Sequence, residues 1–152
     1  MRKLIIVIVL LVVVAGAGFG WYYFQGPCGT SKVNKAIDDM STVAEEFDDA
    51  FAVANSTARM SLSGPISEMQ NVKRNADDIV VPVCLENAKQ LLVGGMQTSI
   101  DGFIAFLGQE PDDVVTSYFV DAGQQLAIAT DEMETISECA PFCKADPHKV
   151  VP

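Results

Sequence analysis

The residues best suited to chemistry in this sequence are its four cysteines, Cys28, Cys84, Cys139 and Cys143. Three residues separate Cys139 from Cys143, whereas the usual redox motif has two. A zinc site built from four cysteines normally uses two close pairs, and this sequence contains only one. An even number of cysteines in an exported protein is typical of disulfides. We therefore interpret these residues as two structural disulfides rather than as a redox or metal site.

The single histidine, His148, lies in a proline-flanked tail. One histidine argues against the multi-histidine zinc sites and di-iron sites of helical bundles, and an irregular tail does not favour a catalytic triad. Adjacent carboxylates such as Asp38 and Asp39 point about 100° apart on a helix, so they do not converge on one ligand. Asp101 and Asp121 have apolar neighbours and could be buried between helices, although such flanking positions are more often exposed. We predict no catalytic residue, no cofactor, no metal and no enzyme activity.

The charge of the chain limits its partners. The formal net charge is −10, and Arg2 and Lys3 precede the main body. From Cys28 onward, 8 Lys and Arg stand against 20 Asp and Glu, which gives −12. An acidic surface repels phosphate backbones, so the composition argues against nucleic acid as a partner. The body is rich in Ala, Val, Leu, Ile and Met, with few Pro and Gly outside turns, which indicates an all-α protein.

Residues 4–24 form an apolar segment of 21 residues without a charge. A helix needs about 20 such residues to cross a bilayer of about 30 Å. We predict that residues 1–24 are a single transmembrane anchor, which contacts the lipid bilayer through residues 4–24. Arg2 and Lys3 predict a cytoplasmic N-terminus, so the body faces the periplasm or the extracellular space.

Two features of this segment predict where it makes contacts. Trp21, Tyr22 and Tyr23 lie where an aromatic belt meets the outer membrane interface, so we predict that they are interfacial anchors. Gly16 and Gly20 are four residues apart, which matches the small-xxx-small pattern of close helix contacts in lipid. The alternative explanation of this pattern is that small residues are common in membrane helices.

A cleaved signal peptide is the alternative to an anchor. Ala15-Gly16-Ala17 fits the small-x-small cleavage pattern behind an apolar core. The apolar segment continues past Ala17 to Phe24, which favours an uncleaved anchor. A lipoprotein is disfavoured because Pro27 immediately precedes Cys28.

Two long amphipathic helices are predicted from apolar residues that alternate in steps of four and three. We expect the first helix at 31–60 and the last at 112–138. The apolar positions of the first are Val33, Ile37, Met40, Ala44, Phe47, Phe51, Ala54 and Ala58. Those of the last are Val115, Phe119, Ala122, Leu126, Ala129, Met133, Ile136 and Ala140.

Two further helices are expected between them, at 65–78 and 83–107. Pro65 suits the first position of a helix, and Pro82 disfavours a helical conformation at the residue before it. We therefore predict a break at 79–83, with one long kinked helix or a short strand as alternatives. Short turns join antiparallel neighbours, which predicts an up-down-up-down antiparallel bundle over residues 31–140. A linker at 25–30 precedes this bundle, and an irregular tail at 141–152 follows it.

This topology predicts the disulfide pairing. In an antiparallel hairpin of the last two helices, Cys84 and Cys139 lie at the same level, so we predict a bond between them. The last helix then returns to the end of the bundle nearest the membrane, where Cys28 and Cys143 could meet.

No motif in the sequence identifies a specific function. We expect a non-enzymatic, membrane-anchored extracytoplasmic protein that serves as an accessory or scaffold subunit of a larger membrane complex. Its partner would be another membrane protein or a second copy of the chain. The alternatives are a small-ligand-binding or sensor-type helical bundle and a self-assembling surface protein.

Overall fold

A computed structural model describes Gly26 and residues 28–140. The predicted anchor and the tail at 141–152 lie outside the described residues, and so do Gly16, Gly20, Trp21, Tyr22, Tyr23, Cys143 and His148. Among the described residues there is no strand, which confirms the predicted all-α class and the helical bundle. None of the helices within this described part combines the length and apolar character needed to cross a membrane.

Four α-helices follow one another along the chain: α1 (Thr30–Ser56), α2 (Ser63–Asp78), α3 (Glu86–Leu107) and α4 (Asp112–Cys139). Short 3₁₀ turns at Arg59–Ser61 and Val83–Leu85 lie between α1 and α2 and between α2 and α3. The start of α4 agrees with its predicted position at residue 112 because Pro111 is extended and Asp112 and Asp113 complete the first turn.

The helix α1 is shorter than the predicted 31–60. The hydroxyl groups of Ser56 and Thr57 both donate hydrogen bonds to the Val53 carbonyl oxygen, at 3.1 and 2.6 Å. Such local bonds compete with the helical ladder, and Thr57 adopts an extended conformation. Ala58 is consequently exposed rather than part of the apolar face.

The break before α3 is confirmed, and the alternatives of a kinked helix or a strand are ruled out. Ile79 and Pro82 both have extended backbone conformations, with ψ of 123° and 153°. Val83–Leu85 then forms a 3₁₀ turn that leads directly into α3, so the α-helix begins at Glu86 rather than at 83.

The α3–α4 pair is an antiparallel hairpin. Near its open end, the amide nitrogen of Asn87 donates to both carboxylate oxygens of Glu132, at 2.7 and 2.8 Å. Near the turn, Phe103 and Phe119 pack edge to face with their centroids 5.1 Å apart. The largest fully buried side chains of the bundle come from α1, α2, α3 and the two 3₁₀ segments or the residues that adjoin them: Val33, Met40, Leu62, Met69, Leu85, Met96 and Ile100.

The predicted disulfide pairing is wrong. Cys28 is bonded to Cys84, and their Cα atoms are 6.1 Å apart. Cys139 is also disulfide-bonded, so its partner is neither of these two residues. The prediction assumed a disulfide between the two open ends of the α3–α4 hairpin. It is wrong because the 3₁₀ turn brings Cys84 against the residues that precede α1.

Candidate functional site

An apolar crevice of about 240 Å³ lies between α1 and α4, with α3 as its floor. The wall formed by α1 consists of Ala44, Phe47, Asp48 and Phe51. Leu92, Met96 and Ser99 of α3 form the floor. The facing wall belongs to α4 and consists of Phe119, Ala122, Gly123, Leu126, Thr130 and Met133.

The crevice exists because α4 packs mainly on α3 and only lightly on α1. Glycines permit this close approach of α3 and α4. A Cβ atom on Gly95 would lie 2.7 Å from the Leu126 Cγ atom, and one on Gly102 would lie 3.0 Å from the Phe119 ring. By contrast, a Cβ atom on Gly123 of α4 would have no atom within 4 Å. The missing side chain of Gly123 therefore leaves space at the mouth of the crevice.

Three aromatic rings close one end of the crevice. The rings of Phe51, Phe103 and Phe119 pack edge to face, and the pairs that include Phe51 have centroid distances of 5.2 and 5.9 Å. Edge-to-face packing is the favoured arrangement of such rings and adds to the stability gained by burial. This cluster joins α1 to the hairpin and fixes the shape of that end.

Few polar groups face this space. Ser99 is 2% exposed, and its hydroxyl donates to the Gly95 carbonyl oxygen at 3.0 Å. The Thr130 hydroxyl donates to the Leu126 carbonyl oxygen at 3.0 Å. The one ionisable lining residue is Asp48, on an exposed position of α1. This lining can hold an apolar molecule and offers it one carboxylate as a polar partner.

The structure also locates the two aspartates that the sequence analysis singled out. Asp121 is exposed, and Asp101 is half-buried and accepts a hydrogen bond from the Gln97 amide at 2.9 Å. Neither residue lines the crevice. Over the part of the chain that the structure describes, no group of three His, Cys, Asp or Glu side chains could hold a metal ion.

The crevice was not predicted from the sequence. Seven of its lining residues were predicted as apolar positions of the first and last helices: Ala44, Phe47, Phe51, Phe119, Ala122, Leu126 and Met133. The available signal was the size of the side chains, because Ala44 of α1 and Ala122 and Gly123 of α4 are small residues on facing surfaces.

No known protein family, curated protein or solved structure matches this chain.

Proposed function

We propose that this protein is a non-enzymatic helical bundle that binds a small apolar ligand in the crevice between α1 and α4. The observation that carries the proposal is an apolar space of about 240 Å³. Dry apolar cavities of about 150 Å³ bind benzene, whereas pockets for drug-sized ligands begin near 300 Å³. The ligand class is therefore a molecule somewhat larger than benzene, such as one with a short alkyl chain or one or two rings.

The charge of the ligand follows from the charge of the protein. Asp48 is the only ionisable residue that lines the crevice, and the whole chain has a formal net charge of −10. An anion would meet an unfavourable potential at this site, whereas a neutral or cationic molecule would not. We propose a neutral apolar molecule, or one whose single positive charge lies next to Asp48.

In this proposal, the bundle lies outside the cytoplasm and follows a transmembrane anchor at residues 4–24. Arg2 and Lys3 before the apolar segment support this orientation. The Cys28–Cys84 disulfide supports an oxidising compartment, where such bonds persist. The up-down-up-down arrangement is supported by Cys28 and Cys84, which join the starts of α1 and α3, and by Phe51 and Phe103, which join their ends.

The test of ligand binding uses the full chain in detergent or nanodiscs. Three probes of similar size are titrated and followed by calorimetry: a neutral arene, an alkylamine and an alkyl carboxylate. We expect saturable binding of the arene or the amine with one site per chain, and a negative heat-capacity change as apolar surface is buried. Tightest binding of the carboxylate, or no saturable binding of any probe, would contradict the proposal.

A second candidate function is that of an accessory or scaffold subunit of a membrane complex. A group of exposed apolar residues favours it, located where α1 ends, where α3 ends and where α4 begins: Val53, Met60, Ile104, Leu107 and Val114. Exposed apolar patches often mark protein interfaces. Gentle extraction of native membranes, followed by native mass spectrometry, tests this candidate. A complex with defined partners would support it, migration as a single chain of 16.3 kDa would exclude it, and a ladder of homo-oligomers would indicate self-assembly.

A further inference from the structure

The loop of residues 79–83 exposes apolar side chains to solvent. Val80 is 91% exposed and Val83 is 63% exposed. The loop is extended at Ile79 and at Pro82. Ile79 and Val81 pack against the core, whereas Val80 between them does not. The amino group of Lys89 donates to the carbonyl oxygens of Asp77 and Ile79, at 2.7 and 2.8 Å, which fixes the first half of the loop to α3. The loop therefore exposes two valines, and Lys89 fixes its backbone at Ile79.

The disulfide places this loop at the end of the bundle where the predicted anchor enters. Cys28 precedes α1 and is bonded to Cys84, which follows Val83 directly. Cys28 is only four positions after Phe24, the last residue of the apolar segment. Fully extended, this connection spans at most about 14 Å. The tether is therefore too short to hold this end of the bundle far from the membrane surface.

At the loop end of the bundle, the charges on α1, α2 and α3 are balanced. Of the six Lys and Arg among the described residues, five lie at this end on α1, α2 and α3: Lys32, Lys35, Lys73, Arg74 and Lys89. Lys35 pairs with Asp39 at 2.5 Å and Lys73 with Asp77 at 3.0 Å. The same end of these three helices also carries five carboxylates: Asp38, Asp39, Asp77, Asp78 and Glu86. The remaining described residues carry 14 carboxylates and one cation, Arg59.

Some of those 14 carboxylates also lie at the loop end of the bundle, but on α4. Glu132 of α4, for example, accepts a hydrogen bond from Asn87 of α3. The side of the bundle that carries the loop is thus the one that anionic headgroups repel least. An open groove of about 860 Å³ runs beside the loop, and its ionisable lining residues are Lys32, Lys35, Asp39 and Asp78. Lipid headgroups have room there, and the two lysines and two carboxylates of the groove give it no net charge.

We propose that the loop of residues 79–83 is a second membrane contact, in which Val80 and Val83 enter the interfacial region of the bilayer. This inference rests on the proposed anchor at residues 4–24. The contact fixes the tilt of the bundle and turns its cation-poor, acidic end away from the lipid. The two valines supply apolar area, and the adjacent lysines supply attraction to headgroup phosphates.

The test places a single tryptophan in the full chain, reconstituted in vesicles that contain anionic and zwitterionic lipids. The only natural tryptophan is Trp21, which is replaced by Phe. Val80→Trp is compared with Met60→Trp, since Met60 is 97% exposed in the segment between α1 and α2. The helix α2, which has 16 residues, separates the two positions by about 24 Å. We expect the emission of the Val80→Trp variant to shift to the blue and to be quenched by lipids spin-labelled near the headgroup. The emission of the Met60→Trp variant should be quenched only by aqueous iodide.

Tryptophan itself prefers membrane interfaces, so the unmodified chain provides a second measurement. A photoactivatable lipid is cross-linked to the protein, and the adducts are located by mass spectrometry. Adducts at residues 79–83 and none at Met60 are expected. Iodide quenching that is equally strong in the Val80→Trp and Met60→Trp variants, without adducts at the loop, would overturn the inference. Loss of the protein from vesicles in alkaline carbonate would instead show that the anchor has failed.

Discussion

Gly95 and Leu126 are so close that a methyl group on Gly95 would lie 2.7 Å from the Leu126 Cγ atom. The carbonyl oxygen of Ala122 would lie 3.2 Å from the same methyl group, so backbone as well as side chain blocks it. This contact holds α4 against α3 and away from α1. Ala122 and Leu126 also line the crevice, so the packing of α4 on α3 sets its width.

Gly95→Ala is expected to destabilise the protein although alanine favours helices. The gain in helix propensity is about 1 kcal/mol, whereas overpacking a tight contact costs about 1–3 kcal/mol. Gly94→Ala is the matched control, because its Cβ atom would meet only the movable end of the Gln125 side chain. Urea denaturation should show a lower free energy of unfolding for Gly95→Ala than for Gly94→Ala. Equal stability of the two variants would mean that α3 and α4 are not packed this closely.

Removing the Cys28–Cys84 disulfide should destabilise the bundle strongly. The bond closes a loop with a sequence separation of 56 residues, for which the chain-entropy model gives about 4 kcal/mol. The double substitution Cys28→Ser and Cys84→Ser avoids a free thiol and should lower the midpoint of thermal unfolding. Peptide mapping of the unreduced protein provides the direct check. A Cys84–Cys139 peptide in that map would contradict the fold described above.

The turn between α3 and α4 offers a stabilising substitution. Gln109 has φ of 61°, and the amides of Gln109 and Glu110 bond to the carbonyl oxygens of Phe106 and Ala105, as in a Schellman motif. The left-handed conformation costs a non-glycine residue about 1–2 kcal/mol. Gln109→Gly should therefore raise the free energy of unfolding by up to about 1 kcal/mol, after the greater freedom of glycine in the unfolded chain is subtracted. If chemical denaturation gives a lower free energy of unfolding for Gln109→Gly than for the unmodified protein, the turn has another conformation.

The sequence predicted the helices well because their apolar residues recur with the helical period. In α4, four of the eight predicted apolar positions are buried: Val115, Ala122, Ala129 and Met133. The turn before it contains Gly108 and Pro111, although the left-handed position is Gln109, one residue after the glycine. Composition identifies a turn, but the residue that adopts the strained conformation depends on how the helix ends.

The disulfide and the crevice could not be predicted in the same way. Pairing Cys84 with Cys139 assumed ideal, equally packed helices, and the extended loop at 79–82 with its following 3₁₀ turn changes which cysteine Cys84 meets. The crevice depends on unequal packing of α4 against α1 and α3. The periodicity that marks Phe119 and Leu126 as apolar contacts does not indicate which neighbour they contact, so it says nothing about a gap.

The most direct test of ligand binding is to fill the crevice from Gly123 and compare the result with Gly64. Both are helical glycines whose added Cβ atom would have no neighbour within 4 Å, but only Gly123 lines the crevice. The measurement is the affinity of the full-length Gly123→Leu and Gly64→Leu variants for the tightest-binding probe, with circular dichroism to confirm that both are folded. We predict that Gly123→Leu loses at least tenfold in affinity, about 1.4 kcal/mol, while Gly64→Leu binds as the unmodified protein does. Equal affinity of the two variants would contradict the assignment of the crevice as the binding site.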